Sequence, residues 1–160
     1  MKWNELEDQP CSIARSLAVI GDRWTLMILR SAFLRTRRFD DFQAQLGITR
    51  HLLAARLAKL VKLGVLSKVL YQERPKRYEY RLTEQGRDLY PLLMALISWG
   101  DKWLDEGCGP PLVYRHAPCG HLFQPLTVCS ECGEPLNPRE VMPMPGPGIQ
   151  QKLAALNEGR

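Results

Sequence analysis

Two short apolar patterns divided by a glycine turn constrain this chain more than any other feature of it. Asp40 or Asp41 is placed to start a short helix carrying Phe42 and Leu46 on one face, and Gly47 is placed to end it. Thr49 then caps a second helix, Arg50 to Leu63, with Leu53, Leu57 and Leu60 in one stripe and Gly64 after it. Helices that follow each other so closely across a glycine have the sequence form of a helix-turn-helix. Val65 to Tyr71 and Tyr78 to Leu82 are rich in β-branched and aromatic residues, and the turn between them, Gln72 to Arg77, is basic. The expected fold is mainly α with a small β-hairpin wing, a winged helix-turn-helix, followed by a small zinc-ribbon-like C-terminal unit. The expected divisions are residues 1–106 for DNA binding and dimerisation, 112–141 for the ribbon-like unit, and 142–160 for a Pro/Gly linker and disordered tail.

Helices are expected on both sides of this centre. Ser12 is positioned as an N-cap for a run with Ile13, Leu17 and Ile20 at helical spacing, ended by Gly21. Asp22 caps a second run bearing Trp24, Met27, Ile28 and Phe33. Beyond the wing, Thr83 is expected to cap one long helix through Leu89, Leu92, Leu93, Leu96, Ile97, Trp99, Trp103 and Leu104, kinked at Pro91. Ile13, Leu17, Leu96, Trp99 and Trp103 exceed what so small a domain needs to bury, so they are assigned to a homodimer interface. A frayed terminal helix is expected over Ile149 to Asn157.

With the leucines of the second motif helix facing inward, its step of about 100° per residue puts His51, Ala55, Ala58 and Lys62 outward, flanked by Lys59. Small side chains let a helix axis sink into the major groove while longer ones reach bases or phosphates. Thr49, Arg50 and His51 stand at the N-terminal end, where base contacts are usually made in this motif. Arg74, Lys76 and Arg77 at the wing tip, with Arg37 and Arg38 of the loop before the motif, complete a cationic set suited to duplex DNA. The other reading of any one cation is a solvated surface residue. The balance of 22 Lys+Arg against 17 Asp+Glu suits a polyanion but does not identify one.

Several stretches, Cys11-Ser-Ile-Ala-Arg-Ser-Leu, Ile20-Gly-Asp-Arg-Trp-Thr-Leu-Met-Ile-Leu-Arg30, Arg38-Phe-Asp-Asp-Phe and Gly47-Ile-Thr, resemble the HxlR-type family of bacterial regulators. Arg56-Leu-Ala-Lys-Leu, Gly64-Val-Leu, Tyr78-Glu-Tyr-Arg-Leu-Thr-Glu-Gln-Gly86 and Trp99-Gly continue the likeness, which runs from Cys11 to Leu104. The resemblance implies a winged-helix homodimer joined through the first and the long C-terminal helices, reading a pseudo-palindromic operator. It also implies a sensing role for Cys11, since in some members a cysteine at this position answers oxidants or electrophiles. A thiol before a helix N-terminus, with Arg15 one turn on, is suited to that chemistry, whereas the bland reading is an inert small hydrophobe.

His116-Ala-Pro-Cys119-Gly120 and Cys129-Ser-Glu-Cys132-Gly133 repeat one pattern, ligand-x-x-ligand-Gly, with nine residues between Cys119 and Cys129. Soft S and N donors at this spacing form closed tetrahedral sites, so a structural zinc held by His116, Cys119, Cys129 and Cys132 is expected. His121 is an alternative ligand, and three free cysteines in a loop is the competing reading. Cys108 receives no role.

No nucleophile-base set and no phosphate-binding glycine loop is present, so no catalytic residues are assigned and an enzyme is not expected. The N-terminus has no apolar export segment, and the longest apolar stretch falls short of the roughly 20 residues that span a bilayer. A cytoplasmic protein with no membrane contact is expected. The leading expectation is a DNA-binding regulator whose response is tuned by a small molecule, a redox signal or metal loss. The alternative is a zinc-containing protein–protein interaction adaptor on a winged-helix scaffold.

Overall fold

The computed structural model describes residues 9–150, and the helix-turn-helix lies at its centre. Helix α3 (Phe39–Leu46) and helix α4 (Arg50–Lys62) meet across Gly47, whose φ of 61° is left-handed backbone that glycine enters without steric penalty. Thr49 caps α4 as its position suggests, its hydroxyl accepting from the Leu52 N–H at 3.4 Å. The start of α3 departs from expectation. Arg38 is its N-cap, with no side-chain bond, and Asp40 and Asp41 fall inside the first turn, where carboxylates favour the positive end of the helix dipole without capping it.

Helix α1 (Ser12–Ile20) and helix α2 (Arg23–Phe33) precede the motif. Cys11, not Ser12, occupies the N-cap of α1, and it makes no side-chain cap bond. Asp22 caps α2 as anticipated, accepting from the N–H groups of Trp24 and Thr25 at 3.0 and 3.1 Å. Ile28, Leu29, Phe42, Leu53, Leu57 and Leu60 are fully buried where α2, α3 and α4 converge. Each such side chain contributes about 1.5–3 kcal/mol of transfer free energy, so this cluster holds the unit together.

Strands β1 (Leu66–Gln72) and β2 (Arg77–Leu82) form the wing, antiparallel, with Leu66 opposite Leu82 and Leu70 opposite Tyr78. The register shifts between Leu70 and Gln72. The basic loop before α3 is stitched to β2: Arg38 bridges Glu79, and the Tyr80 N–H donates to the Arg37 carbonyl at 2.8 Å.

The long C-terminal helix is in fact two. Thr83 caps only the short α5 (Glu84–Arg87), accepting from the Gly86 N–H at 3.1 Å and donating to the Gly64 carbonyl at 2.6 Å. Pro91 then stands in the first turn of a new helix, α6 (Tyr90–Trp103). Proline has no N–H to donate and its ring crowds the carbonyl four residues back, so the chain restarts there instead of kinking. Gly86 is required by contact: a Cβ on it would lie 2.2 Å from the Val65 carbonyl oxygen, where β1 begins.

Helix α6 presents three faces. Leu93 and Met94 are buried against the body, Leu92, Leu96, Trp99 and Trp103 form an exposed stripe, and Ile97, Ser98 and Asp101 face the C-terminal extension. In that extension β3 (Tyr114–Arg115) and β4 (Leu122–Phe123) make a small antiparallel hairpin. No described residue after Met94 is buried. Among the described residues no helix is long and apolar enough to cross a membrane. The acidic N-terminus as far as residue 8, and most of the helix expected over Ile149 to Asn157, lie outside the described residues, although a helical turn opens at residue 147.

Candidate nucleic-acid interface

The outward face of α4 exposes His51, Ala54, Ala55, Ala58 and Lys62, one imidazole and one ammonium separated by three methyl groups. Such a face is low enough to enter a major groove and carries polar reach at either end. Arg50, at its start, ion-pairs with Asp40 at 3.3 Å and lies 4.8 Å over the Phe39 ring, so the α3–α4 corner holds its guanidinium. Both partners of that pair are largely exposed, which makes it weak and open to competition from a phosphate.

Lys59 is exposed as well, but its ammonium is directed back to the body. Its ammonium donates to the Ala18 carbonyl at 2.7 Å, bridging α4 to the end of α1 and satisfying one of the carbonyls that a helix C-terminus leaves without a partner. Arg56, two-thirds buried, was not singled out from the sequence. Its guanidinium grips Asp22 with two parallel bonds, Nε to Oδ1 at 2.9 Å and Nη2 to Oδ2 at 3.1 Å. The Arg56 hydrogen bonds, with help from the Thr25 and Trp24 amides, hold the Asp22 carboxyl below its usual pKa of 3.8 against the opposing effect of its partial burial. One carboxylate thus caps α2 and anchors the helix that presents the outward face. Residues 34 apart in sequence give no periodic signal of this pairing.

At the wing, Arg74, Lys76 and Arg77 are exposed on the tip, and the Arg74 carbonyl accepts from the Gln72 side-chain amide at 3.0 Å. Arg37 and Arg38 are exposed beside the strands, and the Arg38 guanidinium lies 5.0 Å from the Tyr71 ring centre. The wing packs on α4 through β1. The cations of the tip and the face of α4 therefore belong to one framework.

The residues assigned to a subunit contact are all exposed, from Leu17 at 42% to Ile13 at 72%. Cys11 is exposed as well, at the head of α1. The Arg15 guanidinium is directed to the Ser12 hydroxyl at 3.4 Å. Between α6 and the extension lies a cavity of about 560 Å³, lined by Met94, Ile97, Asp101, Tyr114, Leu122 and Phe123 among others. Burial there, with Tyr90 and Asp101 nearby, raises the Tyr114 phenol pKa above its usual value of 10.0.

In the extension, the two cysteine motifs adopt one turn. The His116 N–H donates to the His121 carbonyl at 2.9 Å and the Gly120 N–H to the His116 carbonyl at 2.7 Å. In the second copy the Cys129 N–H donates to the Glu134 carbonyl and the Gly133 N–H to the Cys129 carbonyl, both at 2.9 Å. Gly120 and Gly133 have φ values of 73° and 76°. The pairings just outside agree too: Arg115 with Leu122, and Val128 with Pro135. His116 Nδ1 lies 3.3 Å from Cys119 Sγ. The amides of Cys132 and Glu131 point at the Cys129 sulfur and lower its pKa from 9.0, as does the Cys132 side chain. Among the described residues no three His, Cys, Asp or Glu side chains are gathered closely enough to hold one metal.

Comparison with known proteins bears on this geometry. A family model described as HxlR-like helix-turn-helix matches residues 19–108. The chain is 47% identical over 144 residues to a protein of Mycobacterium tuberculosis (strain CDC 1551 / Oshkosh) named as an uncharacterized HTH-type transcriptional regulator, covering 90% of this chain and 91% of that one. Its fold is similar to the crystal structure of PA1607, a candidate transcription factor, with a TM-score of 0.79 and 36% identity over 88% of this chain and 98% of the other. It is also similar to the redox regulator HypR in its reduced form, with a TM-score of 0.56 and 29% identity over 59% of this chain and 95% of that one.

Proposed function

Because the chain belongs to the HxlR-like helix-turn-helix family of transcriptional regulators, we propose that two copies of it bind a pseudo-palindromic duplex operator, one α4 in each of two successive major grooves. The observation that carries this reading is the outward face of α4, with its methyl floor between His51 and Lys62, set on the same framework as the basic wing tip. In the bound state His51, Thr49 and Arg50 stand at base edges and nearby phosphates, while Arg74, Lys76 and Arg77 follow the flanking backbone. The Lys59 ammonium, turned toward Ala18, serves the protein's own packing.

A second copy covers the stripe of Leu92, Leu96, Trp99 and Trp103 together with Ile13 and Leu17 on α1. These are contiguous helical positions of large apolar side chains left in water, a pattern that marks subunit contacts. The signal acts on this contact. Oxidation of the exposed Cys11 thiol at the head of α1, or a mostly apolar small molecule in the cavity between α6 and the extension, would shift the relative pose of the two α4 helices.

Selection of binding sites from random duplex DNA with the reduced protein tests the reading. A two-fold symmetric site with nanomolar-scale affinity and a steep salt dependence, weakened by His51→Ala, is the expected result. Loss of binding after peroxide treatment, prevented by Cys11→Ser, is expected if the thiol carries the signal. A selection that returns no sequence, with binding only at non-specific strength, would overturn operator recognition and leave the winged helix as a scaffold for a protein partner.

A further inference from the structure

We propose that the extension carries a metal site that DNA reading does not require, in which His116 and Cys119 of the first knuckle and Cys129 and Cys132 of the second hold one zinc ion between them. The argument begins with the repeat. Each knuckle is the turn of its own small hairpin, closed by the same two backbone hydrogen bonds, the same left-handed glycine and the same flanking pair one residue outside. Two turns of identical construction in a segment with no buried residue call for a common cause that is not hydrophobic packing.

The donors fit that cause. Two atoms bound to one tetrahedral zinc at about 2.0–2.3 Å stand roughly 3.5 Å apart, and His116 Nδ1 and Cys119 Sγ are already 3.3 Å apart. Three thiols and one imidazole form the closed, soft N/S set that zinc prefers, with no open position for a substrate. On binding, the three thiols release their protons to solvent and the imidazole binds neutral. Among the described residues no three of these side chains are gathered at one point, so binding of the ion requires the two knuckles to come together around it.

The repeat also chooses between the histidines. Superposed by their hydrogen bonds, the knuckles match His116 with Cys129 and Cys119 with Cys132, while His121 matches Glu134, the residue whose carbonyl closes the turn. The match favours His116, which stands at the Cys129 position, over His121, whose counterpart Glu134 is outside the repeated donor pair.

The site has a consequence for the cavity. Leu122 and Phe123, which line it, follow directly from the first knuckle, so an ion that fixes the knuckles also fixes that wall.

Metal analysis and native mass spectrometry of the full chain, purified in reductant from zinc-supplemented medium, test the assignment. One zinc per chain is expected, and cobalt exchanged into the site should show the intense visible absorption of a tetrahedral thiolate centre. Cys119→Ser and Cys129→Ser should lose the metal while the thermal transition of the winged-helix body stays in place. His116→Cys should keep the metal and shift the cobalt spectrum toward more sulfur ligation, and His121→Ala should change neither. Amide exchange at Leu122 and Phe123 should quicken when a chelator removes the ion. A chain that takes up no zinc, or cysteine variants that retain the full stoichiometry, would overturn the proposal. Loss of metal from His121→Ala with retention in His116→Ala would overturn the ligand set.

Discussion

The winged-helix body and the extension that follows it reach ordered structure by opposite routes. The body is organised around side chains removed from water, with Phe42, Leu53, Leu57 and Leu60 wholly enclosed. Beyond Met94 no described residue is buried, yet the chain turns twice through the same hydrogen-bonded knuckle. In the first region burial sets the fold and the backbone complies. In the second, local backbone geometry comes first, and the surfaces it aligns are small. Substitution of a large apolar residue should therefore mean different things in the two regions, and that difference is measurable.

Phe42→Ala should be the most damaging change, costing about 3–5 kcal/mol in denaturant unfolding because it leaves a void among α2, α3 and α4. Leu126→Ala in the extension, at a side chain 74% exposed, should stay within about 0.5 kcal/mol. Equal costs for the two would break the contrast. Next comes Gly86→Ala, whose new methyl group meets the Val65 carbonyl at 2.2 Å. Overpacking against backbone should cost about 3 kcal/mol by the same measurement. Gly120→Ala meets no neighbouring atom, so its strain is only that of the left-handed backbone, about 1 kcal/mol and confined to the knuckle.

Asp22→Ala removes a helix cap and both bonds to Arg56, and should cost about 2 kcal/mol. Because the folded protein lowers the Asp22 pKa, its contribution is complete above the unfolded value near 3.8 and is lost as the pH falls through the depressed folded value. Acid titration of the unfolding midpoint should accordingly be flatter for Asp22→Asn than for the parent chain. The smallest effect on stability, under about 0.5 kcal/mol, is expected for Arg77→Ala at the wing tip. The same change should weaken operator binding and reduce its salt slope by about one unit, as measured by titration at several salt concentrations.

Much of the body was legible because its determinants are local. Asp22 and Thr49 cap the helices they precede, and the spacing of Leu53, Leu57 and Leu60 reports the buried face of α4. Errors arose where one residue type can serve two positions. Asp40 and Asp41 suit a cap or a first turn, Ser12 suits a cap or the first helical residue, and Pro91 suits a kink or a helix start. Pairing across long separations carries no local signal, so the Asp22–Arg56 clamp and the bond from Lys59 to Ala18 are visible only in the folded chain. The knuckles lie between these cases. Their spacing is plain in the sequence, but their common hydrogen-bond pattern, which sets His121 apart from His116, is a fact of three dimensions.

The two cations of α4 that bond back to the body would, in the proposed DNA complex, bear on the spacing of the operator's half-sites. Arg56 fastens the reading helix to the head of α2, and Lys59 fastens it to the tail of α1. In the proposed two-fold pair joined through α1 and α6, each reading helix would then be carried at a fixed offset from the symmetry axis, like a prong on a rigid comb. Half-sites on B-DNA are in phase only when about one helical turn, roughly 34 Å, separates their centres. A single base pair inserted at the operator's midpoint would rotate one half-site out of phase while the prongs stayed where they are. Discrimination would then come from spacing as well as from base sequence.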